Sequence, residues 1–180
     1  MVELIEAGNP WPTAEQVAIH AGVSLRLVYQ HFNDNESLMV QAGSFQAARI
    51  LPLLNPVDPT LPRPERVMRL VASRDRLYQS IAAFRRAALL REPTSPTVAR
   101  GLQEFRKFKR KQVIELFHVE LDPMPAGLRV DVAAELALVA SFSTWDELSR
   151  RQGLAREDVR RLMRRTLTSV LNDSVPGQAG

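Results

Sequence analysis

The chain has 180 residues, 45% of them apolar and 24% charged, enough for one or two domains with a genuine core. It contains no cysteine, which excludes disulfides, thiolate metal sites and a cysteine nucleophile, and its three histidines, His20, His31 and His118, stand in no metal-ligand spacing. No apolar run of about eighteen residues, no secretory signal and none of the strings G-x-G-x-x-G, G-x-x-x-x-G-K-[ST], H-E-x-x-H or G-x-S-x-G occurs, so the expectation is a cytoplasmic protein without membrane contact, not an enzyme and without a cofactor.

From the N-terminus, Met1 to Ala7 can form a short helix that Gly8 and the breaker-rich Asn9-Pro10-Trp11-Pro12 bring to a stop. Thr13 followed by Gln16 has the spacing of a capping box, which predicts a second helix from Ala14, and Gly22 ends it. Ser24 is placed to cap a third helix running to about Phe32, and Asn33-Asp34-Asn35 to cap a fourth. Five prolines between Pro52 and Pro64 forbid a helix interior, so that stretch reads as an ordered loop or linker. Beyond it the periodicity predicts helices near 64–73, 74–91, 96–119, 129–151 and 155–171, with Gly153 as a stop and a frayed tail from Asn172.

The charge is unevenly spread. Residues 1–48 hold one basic side chain, Arg26, against Glu3, Glu6, Glu15, Asp34 and Glu36, a local charge of −4 in a chain whose total is +4. Two short helices joined by Ala21-Gly22-Val23-Ser24 have the layout of a helix-turn-helix, in which the second helix enters the major groove of DNA. At about 100° per residue, Leu25, Arg26, Tyr29 and Gln30 share an arc of roughly 140°, with Val28 and Phe32 on the other side. Arg26 and Gln30 carry donors that suit guanine and adenine edges, Tyr29 has a hydroxyl suited to phosphate, and Leu25 can meet a thymine methyl. An ordinary helical hairpin with a solvated polar face is the alternative.

The stretch TAEQVAIHAGVSLRLVYQHFNDNESL, residues 13–38, resembles the DNA-binding domain of the tetracycline-repressor (TetR) family of bacterial transcription regulators, with matches at Ala18, Ala21, Gly22, Val23, Ser24, Val28, Tyr29, His31 and Phe32. The resemblance implies an all-α protein: a helix-turn-helix DNA-binding domain over 1–46 followed by a helical ligand-binding and dimerisation domain over 47–180. It also implies that Thr13, Leu25, Arg26, Leu27, Tyr29, Gln30 and His31 face DNA. Three departures stand out: Asn35 replaces the family's usual phosphate-binding lysine, Glu15 stands where a basic residue can occur, and the basic N-terminal arm is missing. Because phosphate neutralisation supplies most non-specific affinity, the expectation is that ten to twenty residues bearing Lys or Arg precede Met1 in the functional protein.

For the second domain, Tyr78, Ile81, Phe84, Arg85, Phe105, Phe108, Phe142 and Trp145 are candidates to line an apolar effector cavity with a polar anchor; the alternative for each is a place in a helical core. The basic cluster 106–111 admits an anionic effector or, more simply, a solvated face. Leu138 on one late helix and Val159, Leu162, Met163, Thr166, Leu167 and Val170 on the last are candidates for a homodimer interface of four helices, which would set two recognition helices about 34 Å or a multiple apart. The function expected is a homodimeric repressor on a pseudo-palindromic double-stranded DNA operator, released by a small molecule; the alternative is a helical small-molecule-binding or adaptor protein with weak or lost DNA binding.

Overall fold

The computed structural model describes residues 1–174, and the regular elements among them are all helical, so the chain is all-α. In chain order they are α1 (Val2–Glu6), α2 (Ala14–Ala21), α3 (Leu25–His31), α4 (Asn35–Ile50), α5 (Arg63–Arg91), α6 (Pro96–Leu116), α7 (His118–Leu121), α8 (Ala126–Val139), α9 (Phe142–Asp146) and α10 (Arg156–Asp173). A 3-10 turn at Leu51–Leu53 follows α4, and a π-helical turn at Glu147–Arg151 follows α9.

The three short N-terminal helices and the start of α4 lie where caps and breakers predict. The later boundaries differ. The expected pair 64–73 and 74–91 is one helix, α5, because after Pro64 in its first turn no Gly or Pro interrupts it, and Arg74-Asp75, at the expected break, is buried. The expected helix 96–119 ends at Leu116, where Phe117 leaves helical geometry at φ −110° and ψ 24°. The expected 129–151 is divided: Ser141 turns extended and its Oγ accepts the Thr144 N–H at 3.1 Å, so a serine cap starts α9 as a separate helix. Of the tail expected to fray from Asn172, Asn172 and Asp173 still belong to α10, and the remainder from residue 175 lies outside the described residues.

The chain divides into two compact units, one formed by Met1–Pro52 with Ser80–Glu104, the other by Leu53–Gln79 with the chain from Phe105 on. The first therefore includes more than the N-terminal stretch 1–46, since parts of α5 and α6 complete its core: Ile5 and Met39 pack with Ala87, Ala88 and Leu102. Polar ties follow the same route. Ser95 Oγ donates to Glu36 Oε1 at 2.6 Å, and Gln46, itself buried, donates to the Ser80 carbonyl at 3.3 Å.

In the second unit α10 packs on α8, burying Val159, Met163, Leu167 and Leu171 on one side and Val132, Ala133 and Leu136 on the other. Two buried ion groups brace this core. Arg66 donates to both oxygens of Glu120, at 2.9 and 2.5 Å, and to the carbonyls of Leu61 and Leu116. Asp75 Oδ2 accepts from Arg156 and Arg160 at 2.8 and 2.7 Å, while its Oδ1 accepts from Trp145 and Gln79, each at 3.1 Å. Burial alone would push the Asp75 carboxyl up, but the bonds from Arg156, Trp145 and Arg160 together hold it below the ordinary carboxylate range.

Candidate nucleic-acid interface

The α2–α3 pair is assembled by local chemistry. Thr13 Oγ1 accepts the Gln16 N–H at 3.2 Å while Gln16 Oε1 accepts the Thr13 N–H at 3.0 Å, a closed capping box. Gly22 ends α2 in the left-handed conformation, φ +67°, which lets the chain reverse within three residues before Ser24 Oγ caps α3 by accepting the Leu27 N–H at 3.2 Å. Asp34 then caps α4, its Oδ1 accepting the Ser37 N–H at 2.7 Å. Beneath the pair, Ala14, Ala18, Val28 and Leu38 form a miniature core closed by Val17 and Phe32.

Within α3 only Val28, 5% exposed, is buried. Every other residue of the helix, Leu25, Arg26, Leu27, Tyr29, Gln30 and His31, is exposed, Tyr29 to 54%, and Thr13 is exposed as well. All seven residues expected to face DNA thus stand at the surface. The side chains of Arg26, Tyr29 and Gln30 make no hydrogen bond or ion pair with the described residues, so their donors face outward unspent. Thr13 spends an oxygen lone pair on its cap but keeps its hydroxyl hydrogen.

The acidic residues of this segment serve structure. Glu3 bonds His20 at 2.6 Å, Glu6 pairs with Arg49 at 3.2 Å, Glu36 receives the Ser95 hydroxyl and Asp34 caps α4, which leaves Glu15 without a partner of this kind. The hydrogen bond and charge of His20 hold the Glu3 carboxyl below its ordinary value. Asn35 is likewise structural, donating its Nδ2 to the Pro12 carbonyl at 3.0 Å and so fastening the start of α4 to the segment before α2. Sequence spacing gave no sign of that contact, since the partners lie 23 residues apart.

The eight residues expected to line an effector cavity do not come together as one lining. Tyr78, Phe142 and Trp145 form a buried aromatic triad in the second unit with ring centroids 5.5–5.9 Å apart, and the Tyr78 hydroxyl donates to the Ala140 carbonyl at 2.6 Å. Ile81, Phe84 and Arg85 belong to the first unit, Phe84 against the Ile5–Met39 cluster. Phe105 lies beneath Lys109, and Phe108 is exposed. A cavity of about 210 Å³ in the second unit has another lining: Pro56, Val57 and Pro59 of the loop before α5, Leu70 and Arg74 of α5, and Gln112 and Leu116 of α6 contribute to it. Neither spacing nor hydrophobicity marked Arg74, because its meaning lies in what fails to pair with it.

The dimer candidates divide too. Val159, Met163 and Leu167 are 1%, 1% and 0% exposed in the single chain, so they form its own core against α8 and offer nothing to a partner. Leu138, 63% exposed, and Thr166 face outward, with Leu162 and Val170 half-buried. The chain finds no significant match among family models, curated proteins or solved structures. No helix among the described residues is long and apolar enough to cross a membrane.

Proposed function

We propose that the chain is a DNA-binding transcriptional regulator of the tetracycline-repressor type, which represses by holding a pseudo-palindromic operator as a homodimer and releases it when a small-molecule effector binds. The observation that carries this reading is the state of α3, a capped helix that buries Val28 alone and turns Arg26, Tyr29 and Gln30 outward without partners. A helix so exposed contributes little to its own fold and has the width to enter a major groove. Arg26 would fork onto a guanine edge, Gln30 onto an adenine edge, and Tyr29, Thr13 and His31 would hold backbone phosphates and register. Leu25 and Leu27 would supply apolar contact, the first with a thymine methyl.

Homodimerisation is supported by the outward stripe Val130, Ala134 and Leu138 on α8 beside Leu162, Thr166 and Val170 on the adjacent α10. The second reading, a helical small-molecule-binding or adaptor protein without DNA recognition, is favoured by the −4 charge of residues 1–48. That charge is offset in part by Arg49, just beyond the segment, which pairs with Glu6.

Selection of binding sites from random duplexes, followed by fluorescence-anisotropy titration at low salt, tests the proposal. The expected outcome is an enriched palindrome, from which Arg26→Ala removes about 1–3 kcal/mol while weakening random duplex far less. Equal loss on both duplexes would make Arg26 a phosphate contact. No enriched sequence would leave the adaptor reading.

A further inference from the structure

Of the buried ionisable groups in the second unit, Arg66 and Asp75 are matched by opposite charges, whereas Arg74 is not. Arg74 is 2% exposed. Its Nη1 donates to Gln112 Oε1 at 3.0 Å and its Nη2 to the Lys109 carbonyl at 3.3 Å, while its Nε–H is buried with no acceptor. A guanidinium has five N–H donors, so with two engaged three remain, and no carboxylate of the described residues reaches it. On α6, the Lys109 side-chain nitrogen is also buried without a hydrogen-bond partner, over the Phe105 ring at 5.6 Å. Leaving an arginine buried and unpaired is costly, and a fold that pairs Arg66 so fully has the means to pair Arg74 as well.

The cavity supplies the reason. Arg74 stands in its wall beside Ser73 and Gln112, and the remainder of the lining includes the apolar side chains of Pro56, Val57, Leu70 and Leu116. Gln112 joins the two sides of the site, accepting from Arg74 and donating its Nε2 to the Leu54 carbonyl at the edge of the proline loop, at 3.4 Å. The one carboxylate in the lining, Glu115, is already paired with Lys111 at 3.6 Å and most of its side chain lies in solvent. We propose that this cavity binds a small organic carboxylic acid, whose carboxylate completes the donors of Arg74 and whose apolar body rests on the proline loop and the leucines. A planar carboxylate matches the guanidinium fork better than a tetrahedral anion does, and a site of about 210 Å³ sets the size at that of a simple aromatic or short-chain acid.

The proposal deepens the effector half of the reading above and rests on it only for the ligand's role as a signal. Its test uses no DNA, so failure of operator recognition leaves it standing and its own failure leaves operator recognition standing. Calorimetry and thermal unfolding of the purified chain with benzoate and hexanoate are expected to show saturable binding and a rise in Tm. Neutral benzamide is expected to bind at least tenfold more weakly, as is benzoate to Arg74→Met. In the natural chain the side-chain Nε–H resonance of Arg74, followed by nitrogen–proton correlation, is expected to move with saturation, which keeps the test open should the variant fail to fold. Absence of saturable carboxylate binding, equal binding of benzamide, or an unmoved Arg74 resonance would overturn the proposal. Inorganic phosphate binding as tightly as benzoate would also overturn it, by showing a site for bare anions.

Discussion

Lys109 shows how much one side chain can say about the state of the protein. Burial, reinforced by the nearby Arg74 charge, pushes its ammonium down to about 6. In the unfolded chain the same group titrates near 10.5, so between those values the unfolded state holds a proton that the folded state lacks. Stability therefore rises with pH across that window, is greatest above about 10.5, and is lost as pH falls toward about 6. The slope cannot exceed about 1.4 kcal/mol per pH unit for a single group. Urea unfolding at pH 6.5 and pH 9 is expected to show this slope in the natural chain and a flatter one in Lys109→Met, with the variant's gain larger at the lower pH. Equal slopes would place the ammonium in contact with water. None of this could be read from sequence, where the run 106–111 looks like a solvated basic face; position 109 alone is buried with Phe105 while Lys107 and Arg110 are exposed.

At the scale of elements, the α2–α3 pair was legible because its instructions are local. Thr13, Gly22 and Ser24 act on backbone groups within three or four residues of themselves, and the structure has each of those bonds. Ser24→Ala is accordingly expected to cost about 1 kcal/mol through the lost cap. Gly22→Ala is expected to cost about 1–2 kcal/mol, from backbone strain alone, since a Cβ at position 22 would meet no atom within 4 Å. Thermal unfolding of both variants measures these costs; a Gly22→Ala protein as stable as the natural chain would contradict the left-handed turn. Instructions that act between distant residues leave no such local mark. The absence of Gly and Pro near residue 73 permits α5 to continue but does not show what its middle packs on; there Arg74 and Asp75 find partners in α6, α9 and α10.

For the molecule as a whole, the apolar period of α10 was plain in the sequence but its destination was not. Three- and four-residue spacing marks a face to be covered; it does not say whether the cover is α8 of the same chain or a second copy. The structure gives Val159, Met163 and Leu167 to the chain's own core and leaves Leu138 outside. Two variants separate the roles. Leu167→Ala is expected to lower stability by about 2–5 kcal/mol, as a cavity in a packed core does. Leu138→Glu is expected to keep the fold, judged by circular dichroism, while converting the sedimenting species from dimer to monomer. A natural chain that sediments as a monomer, or a Leu138→Glu chain that unfolds, would remove the outward stripe as an interface.

The single buried anchor of α3 has a consequence for how such a protein changes over time. With Val28 holding the helix and Ser24 starting it, the outward positions Arg26, Tyr29 and Gln30 are nearly exempt from the demands of packing. Substitutions there carry almost no folding penalty, so the surface that would choose a target is able to drift freely while the body beneath it stays fixed. Under the proposed role, a lineage built on this scaffold would acquire new targets by exchanging outward side chains, without first accumulating the reserve of stability that changes inside a core require.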